Sequence, residues 1–592
     1  MINYRIRQNA ISKYSQDPIR DYLRSFGIES VESFLGEPPL EDKASPWHLN
    51  NMRRCVEELH AGFEGNKSFF LIVDSDADGY TSSSIFYNYF KAIYPKANIQ
   101  WMLHEGKEHG IVLEYVPYGC DYVIIPDAGS MQLEQQEELV TRGKTVIIMD
   151  HHNVTEVFEH PNVILVNNQN SALFSNKSLS GAGVVLKVIE AFDEVYNSSV
   201  IQPHDLYDLA ALGILSDCMD ITTLDNNYIV YHGLRNIKSE IIQAIIMYQK
   251  RGFEDLSLPT KIETVFYITP IINGVIREGS QEEKAMLFRA FINNPTQDSI
   301  DSVNSRTGAP RKETFYQYVA RVSANIKGRQ DDKKIKCFNF LRDKVVSTGY
   351  DKNRIVVALV DGRDSIPTPQ PITGLIAMEL QKHFNKPCLV LRPKKMEVEG
   401  LGMVDTYAGS GRGSRVEGFD SFLQYMQNDP ACVYAEGHHF AFGAAILADK
   451  LDEFLERANI NLADVDFGST EYEVECEFKL GDSAVQLARE FAEYANVYGT
   501  GIPTPQIALT GALDANRISV IGASGSTIKF TFAGVDCIKF NSTELVEQLK
   551  TSPRFQVTAI CKCALNFWGG KVLPQFKIVD IELTPIRANK LF

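Results

Sequence analysis

The sequence predicts a multidomain α/β protein, with a parallel sheet in its first half and a β-rich domain at its C-terminus. The chain has 592 residues, far more than one hydrophobic core usually supports. After about residue 465, polar and apolar residues alternate as in half-buried strands. In the first half, short apolar runs alternate with helical stretches, as in a parallel sheet covered on both faces: Phe69–Val73, Tyr122–Pro126, Thr145–Met149 and Val163–Val166.

Composition and periodicity divide the chain into five segments. Residues 1–50 form an N-terminal extension, and residues 51–235 contain the parallel-sheet domain. Residues 236–335 have helical spacing and little strand character, so we expect a helical connector there. Residues 336–462 combine strands and helices in a second α/β domain, and residues 463–592 have the alternation of a small barrel or sandwich.

Composition also limits the classes to which the protein can belong. The sequence shows neither a secretory signal nor an apolar run of membrane-spanning length, so we expect a cytoplasmic protein without a membrane partner. The net charge of −16 opposes a nucleic-acid partner, although residues 306–344 hold eleven Lys and Arg against four Asp and Glu. That basic run indicates a solvated helix face or, equally, a surface that faces DNA.

Acidic residues stand at the ends of three of the four predicted strands. Because the carboxyl ends of parallel strands face one crevice, such charges would repel one another unless metal ions neutralised them. The pattern therefore predicts a site for divalent metal ions. The residues concerned are Asp74, Asp76, Asp78, Asp127 and Asp150, the last of which is followed by His151 and His152.

The D-x-D-x-D-G segment that begins at Asp74 has two alternative interpretations. A calcium loop of the EF-hand type would have Glu at its twelfth position, whereas Ile85 stands there and an apolar strand precedes the segment. An acidic surface turn explains a single Asp, but not three strands that end in the same way. The nearby histidines supply nitrogen ligands, which favours Mn²⁺ over Mg²⁺, and Mg²⁺ stays an alternative.

The order of the acidic motifs resembles that of the DHH phosphoesterases. DSDADGYTS (74–82) is followed by PDAGS (126–130), MDHHN (149–153), SGAGVV (180–185) and ALGILSDCMD (211–220). The resemblance implies that His152 binds phosphate. It also implies a catalytic site whose metal ligands are the first-motif aspartates with Asp127, Asp150, His151 and Asp217. Which of Asp74, Asp76 and Asp78 bind metal directly stays open.

Segments further along the chain resemble the RecJ-type members of this superfamily, and the resemblance implies contacts with nucleic acid. ITPIINGVIRE in the connector contributes Asn273 and Arg277. In the second α/β domain, which resembles the DHH-associated domain, GSGRGS resembles the family's glycine-serine-arginine loop and EGHHFAFG resembles its histidine motif. These two motifs contribute Ser410, Gly411, Arg412 and His438 as phosphate contacts.

The C-terminal region resembles the RecJ oligonucleotide-binding β-barrel. The segment LNFWGGKVLPQ carries Trp568, for which the resemblance implies base stacking, while a buried structural Trp is the alternative. Together the motifs imply a single-stranded-DNA-specific exonuclease that acts from 5′ to 3′ with two metal ions, Mn²⁺ or Mg²⁺. We expect a monomer, with a single-strand-binding protein or a helicase as a candidate partner.

Two alternative functions stay open at this point. A DHH phosphodiesterase of short oligonucleotides or cyclic dinucleotides would use the same metal site but would not need a C-terminal barrel. A catalytically inactive DNA-binding relative would have lost metal ligands, whereas this sequence retains all of them.

Overall fold

The computed structural model describes residues 2–105, 108–197, 200–252, 258–304, 307–398, 400, 402–468, 471–522, 525–568 and 571–586. The chain forms two compact units. The smaller unit comprises Met1–Arg5 with Gly328–Glu473, and the larger unit comprises Ile6–Lys327 with Val474–Phe592. Within the described part of the chain, no helix is both long and apolar enough to cross a membrane.

The N-terminal segment begins with one strand and three helices: β1 (Asn3–Ile6), α1 (Pro18–Arg24), α2 (Glu32–Leu35) and α3 (Met52–Glu64). Tyr22 of α1 is almost completely buried, and its ring lies against that of Phe491, with centroids 5.3 Å apart. The Tyr22 hydroxyl donates a hydrogen bond of 2.7 Å to the carbonyl oxygen of Pro503. From residue 6 onwards, the predicted extension therefore contributes to the core of the larger unit.

The parallel sheet of the larger unit is built from β2 (Ser68–Val73), α4 (Ala77–Ile93), β3 (Asn98–Leu103), β4 (Tyr122–Pro126), α5 (Leu133–Thr141), β5 (Thr145–Asp150), β6 (Val163–Asn167), α6 (Gly181–Tyr196), α7 (Tyr207–Ser216) and α8 (Leu224–Arg235). Its strand order is β3-β2-β4-β5-β6, and every pairing is parallel. The four predicted strands are confirmed. Strand β3 was not predicted, because it is an edge strand with polar and half-exposed residues.

The connector continues with α9 (Glu240–Tyr248), α10 (Lys261–Glu263), α11 (Thr269–Glu278), α12 (Gln281–Phe291), β7 (Ser299–Val303), β8 (Pro310–Thr314) and α13 (Phe315–Thr348). A π-helical turn at Thr264–Ile268 joins α10 to α11. The antiparallel hairpin of β7 and β8 was not predicted. Its side chains alternate between exposed and half-buried positions, so it lacks the apolar face that would mark a strand in the sequence.

The smaller unit is a mixed α/β domain made of β9 (Val356–Leu359), α14 (Thr373–Phe384), β10 (Cys388–Val398), β11 (Gly402–Arg412), α15 (Phe422–Gln427), β12 (Cys432–His438), β13 (Ala441–Leu447) and α16 (Leu451–Asn461). The strand order is β12-β13-β11-β10-β9. Only β9 and β10 pair in parallel.

The glycine-serine-arginine segment, Gly409–Asp420, is a loop only after Arg412, and the prediction was wrong for its first four residues. Gly409–Arg412 lie within β11 and pair with both β10 and β13. A Cβ atom at Gly409 would lie 1.9 Å from the carbonyl oxygen of Val390, and one at Gly411 would lie 2.6 Å from the ring of Phe442. Close strand packing therefore requires the small residues here.

The C-terminal domain consists of β14 (Glu471–Val474), β15 (Cys476–Lys479), α17 (Val485–Glu493), β16 (Gln506–Asp514), β17 (Ser519–Ile521), β18 (Thr527–Phe532), β19 (Val535–Lys539), α18 (Thr543–Gln548), β20 (Arg554–Trp568) and β21 (Lys571–Pro585). Strand β14 pairs with β1. The other strands form one sheet in the order β15-β16-β20-β21-β19-β18-β17, which is antiparallel except at β15–β16 and β19–β21.

Candidate metal centre

The ends of three adjacent strands bring the predicted acidic residues together. Asp74 follows β2, Asp127 follows β4, and Asp150 is the last residue of β5, so all three carboxylates lie at the same edge of the sheet. Asp217 joins them from the C-terminal end of α7. The first three residues are buried, with at most 9% of their surface exposed, and Asp217 is partly exposed.

Asp74 and Asp76 are positioned by backbone hydrogen bonds at the turn between β2 and α4. The amide of Gly110 donates to Oδ1 of Asp74 at 2.8 Å. Asp76 is the N-cap of α4, and its Oδ1 accepts a hydrogen bond of 2.9 Å from the amide of Gly79. In each carboxylate the other oxygen, Oδ2, has no such backbone bond among the described residues, and it can face a cation.

Asp78 joins α4 to the start of α6. Its two carboxylate oxygens accept hydrogen bonds from the amides of Gly181, at 2.7 Å, and Ala182, at 3.0 Å. Because the amides of a helix N-terminus stabilise negative charge, α6 holds the Asp78 carboxylate in place. Ser180 is the N-cap of α6 and accepts a hydrogen bond from Gly183. The SGAGVV segment thus orients an acidic residue of the centre.

Asp127 has the least common backbone conformation of the centre. Its φ is 65°, in the left-handed region that residues other than glycine seldom adopt. Its side chain is buried, and Oδ1 has no hydrogen-bond partner among the described residues. A Cβ atom at Gly181 would lie 2.4 Å from this same oxygen, so the glycine leaves the space that the carboxylate occupies.

His151 lies between carboxylates from three parts of the chain. Its Nε2 atom is 3.2 Å from Oδ1 of Asp127, 3.5 Å from Oδ2 of Asp217 and 3.9 Å from Oδ2 of Asp78. Potential ligand atoms within 4.8 Å of one another form three overlapping groups: Asp74, Asp76 and Asp127; Asp78, His151 and Asp217; and Asp127, Asp150, His151 and His152.

Burial and mutual repulsion destabilise the charged forms of most of these carboxylates. Burial, followed by the charge of Asp78, raises the pKa of Asp127 well above its usual value. The same two causes raise the pKa of Asp217 to about 8. Burial, followed by the charge of Asp76, raises the pKa of Asp74 to about 7. The centre therefore holds more negative charge than its protein surroundings can stabilise.

Asp150 and His152 form an ion pair beside these carboxylates. Nδ1 of His152 lies 2.8 Å from Oδ1 of Asp150, which also accepts the amides of His151 and His152, while Oδ2 accepts the amide of Ser130. Burial is the largest single influence on the pKa of Asp150 and raises it, but the hydrogen bond and charge of His152, the hydrogen bond from Ser130 and the charge of His151 together outweigh burial, so the pKa is lowered. The hydrogen bond with Asp150 raises the pKa of His152 to about 9. His152 is thus a cation whose side chain is 62% exposed at the mouth of the site.

Divalent cations fit this centre. Oδ1 of Asp127 is a buried acceptor that forms no hydrogen bond with the described residues, although Nε2 of His151 lies 3.2 Å away, and a cation would satisfy it. The donors are carboxylate oxygens and one imidazole, a set that suits Mn²⁺ and accepts Mg²⁺. A Cβ atom at Gly213 would lie 2.3 Å from Oδ1 of Asp78, so the glycine lets α7 bring Asp217 close to the other ligands.

The predicted connector residues lie in the same unit as the centre. Arg277 of α11 is close enough to Asp76 for the two charges to interact: burial lowers the pKa of Arg277, and the Asp76 carboxylate opposes that effect. Asn273 lies one turn earlier on α11, and its buried Oδ1 has no hydrogen-bond partner among the described residues.

The predicted phosphate contacts of the smaller unit share one sheet. Ala441 of β13 pairs with Arg412 on one side and with His438 on the other, so Arg412 and His438 project from the same face. His438 is exposed, whereas Ser410 is nearly buried, with its hydroxyl 3.2 Å from that of Thr373.

Trp568 is the last residue of β20, and its side chain lies outside the described part of the chain.

Two residues at strand ends were missed in the sequence. His104 follows β3, its side chain is fully buried, and its Nε2 lies 3.8 Å from Oδ1 of Asp74. Neither of its ring nitrogens has a hydrogen-bond partner among the described residues. Asn167 ends β6 and donates from Nδ2 to the carbonyl oxygen of His152 and to the hydroxyl of Ser130. Extending the strand-end criterion to polar residues would have found Asn167, whereas His104 follows β3, which the sequence pattern did not predict as a strand.

Known families match two domains of this chain, and known proteins align with nearly its full length. Residues 68–214 match the DHH family, N-terminal domain, and residues 474–580 match the RecJ OB domain. Over 587 residues the chain is 30% identical to a Bacillus subtilis (strain 168) protein named "Putative SPbeta prophage-derived single-strand DNA-specific exonuclease YorK", covering 98% of both chains. It is 22% identical to the single-stranded-DNA-specific exonuclease RecJ of the same organism, covering 94% of this chain and 66% of that one.

Solved structures agree with this relationship. The crystal structure of RecJ from Thermus thermophilus in complex with Mn²⁺ superposes with a TM-score of 0.70 and 19% identity, covering 96% of this chain and 76% of that chain. The Mg²⁺ complex of the same protein gives a TM-score of 0.65 and 18% identity, with 96% and 75% coverage. The predicted sequence of domains, from the DHH domain to the C-terminal oligonucleotide-binding domain, is therefore confirmed, and the chain belongs to the RecJ-like exonuclease family of the DHH phosphoesterase superfamily.

Proposed function

We propose that the protein hydrolyses phosphodiester bonds at the end of single-stranded DNA, from 5′ to 3′, with two divalent metal ions. One observation carries the proposal: carboxylates from two strand ends, α4 and α7 surround His151, and the buried Oδ1 of Asp127 forms no hydrogen bond with the described residues. A centre with this much unsatisfied negative charge suits cations better than any role in packing.

The ligand groups suggest how two ions would be held. Asp74, Asp76 and Asp127 would hold one ion, and Asp78, His151 and Asp217 would hold the other. When bound, Mn²⁺ or Mg²⁺ ions would supply an acidic water for attack on phosphorus and would neutralise charge on the phosphate. This division also gives each first-motif aspartate a role, with Asp78 fixed by α6 and the other two fixed at the turn after β2.

Two cations of the protein would receive the phosphate. His152 is protonated at neutral pH through its hydrogen bond with Asp150, and its ring is exposed. The side-chain amide of Asn167 donates to the carbonyl oxygen of His152 and would hold the backbone of that residue during the reaction. Arg277 lies near Asp76, where a guanidinium can hold a non-bridging phosphate oxygen.

His104 would act as a positioning residue for Asp74. A buried imidazole without a hydrogen bond is costly, and Oδ1 of Asp74 at 3.8 Å is the carboxylate oxygen that its Nε2 faces. A small movement of either side chain would let Nε2 of His104 donate a hydrogen bond to Oδ1 of Asp74. Hydrogen bonds of this kind orient metal ligands.

Single-stranded DNA is the substrate that the rest of the chain favours. The YorK and RecJ relatives are named for this activity, the C-terminal domain matches the RecJ OB domain, and Arg412 and His438 project from the same face of one sheet. An OB domain would be superfluous for a phosphodiesterase of dinucleotides, and the complete ligand set disfavours an inactive DNA-binding relative. A single-strand-binding protein or a helicase would supply such a substrate.

The experiment is a substrate comparison in Mn²⁺ and in Mg²⁺. Single-stranded DNA labelled at the 5′ or the 3′ end, double-stranded DNA, single-stranded RNA and a dinucleotide are each incubated with the wild type and with Asp217→Asn. We expect single-stranded DNA to be degraded from its 5′ end by the wild type only. The proposal fails if only the dinucleotide is cleaved, or if the variant matches the wild type on single strands.

A further inference from the structure

A cavity separate from the metal centre lies where three parts of the larger unit meet. The cavity has a volume of about 180 Å³. Phe34 comes from the N-terminal segment, Tyr231 and Leu234 come from α8, and Tyr494 and Val497 come from the end of α17 and the turn after it. These side chains give the cavity an apolar and aromatic part, and polar side chains complete its wall. None of the described residues that line it belongs to the metal centre.

Lys261 places a buried ammonium group in this wall. Only 5% of the residue is exposed, and its one hydrogen bond among the described residues is a long contact of 3.4 Å from Nζ to Oδ1 of Asn227. Burial lowers the pKa of Lys261 to about 7, and within the described part of the chain no acidic side chain offsets that effect. An ammonium group has three donors, so most of its bonding capacity is unused.

Asn227 supplies no counter-charge, because its side-chain amide is neutral. Its Nδ2 donates a hydrogen bond of 2.6 Å to the carbonyl oxygen of Ser33, which fixes the direction of Oδ1 towards Lys261. The lysine is thus held in the cavity wall by a neutral group. Burying a cation without a counter-ion is costly, so selection for stability alone would favour an apolar residue of similar size.

A second cation stands at the rim of the same cavity. Arg235 is exposed, and its guanidinium lies 4.3 Å from the ring centroid of Tyr231. Glu493 also lines the cavity, and its carboxylate lies 3.9 Å from Arg489 on the outer face of α17. A ligand that enters past Arg235 would meet aromatic rings along its path and Lys261 at the buried end.

We propose that this cavity binds a small organic anion, a carboxylate or a phosphate monoester with a flat apolar part, whose charged group pairs with Lys261. The volume is below that of most drug-sized ligand sites, which favours a ligand with about one ring. The ligand would join the N-terminal segment to α8 and the C-terminal domain, so binding would stabilise the larger unit. The site is independent of the proposed nuclease reaction.

Benzoate, phenyl phosphate and neutral benzamide are suitable probes, because they share one ring and differ in charge. The full-length protein is examined in a chelator, so that no metal ion can hold the anions at the acidic centre. We expect benzoate or phenyl phosphate to raise the melting temperature and to bind in calorimetry, while benzamide at the same concentration does neither. If benzamide acts as strongly as the anions, or if neither anion binds, the proposal is wrong.

Variants of Lys261 and of a control lysine complete the test. Lys261→Met should fold at least as stably as the wild type, because it removes a buried amine that has no acidic partner among the described residues, and it should bind the anions about tenfold or more weakly. The matched control is Lys250→Met, an identical change at an exposed position, which should bind the anions as the wild type does. Unchanged binding by Lys261→Met overturns the proposal, and Lys261→Gln provides the same comparison if the methionine variant does not fold.

Discussion

At the scale of single residues, Asp127 is a carboxylate whose charged form is destabilised by burial and by the neighbouring aspartates. Its carboxylate has a strongly raised pKa and an oxygen without a donor among the described residues. A neutral amide at this position would relieve the repulsion from Asp78 and the neighbouring carboxylates. Activity and stability should therefore respond to the same substitution in opposite directions.

We predict that Asp127→Asn raises the melting temperature of the metal-free protein and lowers nuclease activity by roughly 100-fold or more, since even outer-shell partners of metals contribute about 10–100-fold. Thermal unfolding in a chelator and cleavage of labelled single-stranded DNA measure the two effects. Asp298→Asn, at an exposed position, serves as the control and should change neither. A variant that is less stable than the wild type without metal would contradict the repulsion described here.

His104 allows a second prediction at this scale. His104→Ala should weaken Mn²⁺ binding by about 10–100-fold, because Asp74 loses the buried ring nitrogen that faces its Oδ1. His104→Gln places an amide N–H near the position of Nε2 and should recover part of that affinity. Calorimetric titration with Mn²⁺ in the absence of DNA separates this effect from catalysis. Equal Mn²⁺ affinity in the alanine variant and the wild type would remove the positioning role.

At the scale of elements, the close approach of α6 to the strand ends decides the geometry of the centre. Its first amides bind Asp78, and its first residue, Gly181, leaves room for Asp127. The helix N-terminus and the acidic motifs are far apart in sequence, but each depends on the other in space. A side chain at Gly181 therefore has to displace either the helix or the carboxylate.

We predict that Gly181→Ala lowers both metal affinity and activity, because the new Cβ would lie 2.4 Å from Oδ1 of Asp127. The matched change is Gly328→Ala in α13, where no described atom lies within 4 Å of the new Cβ. That variant should gain roughly 0.5–1 kcal/mol in the free energy of unfolding from helix propensity and keep its activity. Denaturant unfolding and DNA cleavage are measured for both variants. Full activity of Gly181→Ala would contradict the prediction, because it would show that α6 can move away from Asp127 without loss of activity.

At the scale of the whole molecule, the acidic centre should make stability depend on both pH and metal. The pKa values of Asp74 and Asp217 are raised to about 7 and about 8, so the folded metal-free protein binds more protons than the unfolded chain over this range. Stability is fully present below the ordinary carboxyl pKa and is lost as the pH rises through these raised values.

We predict that the free energy of unfolding of the metal-free protein falls as the pH is raised from about 5 to about 8, by up to about 1.4 kcal/mol per pH unit for each such group. Saturating Mn²⁺ should remove most of the decline, since it stabilises the ionised carboxylates. Asp217→Asn should show a shallower decline without metal. Chemical denaturation at several pH values tests this, and identical profiles for the variant and the wild type would refute it.

Much of this architecture could be predicted from the sequence, because local pattern and chain order determine it. The four apolar runs became neighbouring parallel strands, and their carboxyl ends had to share one edge, so the acidic motifs had to converge. The exceptions had weak local signals. Strand β3 is half exposed, β7 and β8 lack an apolar face, and the glycines of β11 are a residue type that is more typical of turns than of strands.

The sequence by itself determined which acidic residues and histidines follow the strands of the first sheet, and the order of the domains, since both depend on recognisable local patterns. Only the tertiary structure decided which group each carboxylate faces. It assigned Asp78 to the amides of α6, left Oδ1 of Asp127 without a described donor, and brought His104 from an edge strand to Asp74. It also enclosed Lys261 without a counter-ion among the described residues. These contacts join residues distant in the chain, so no local pattern encodes them.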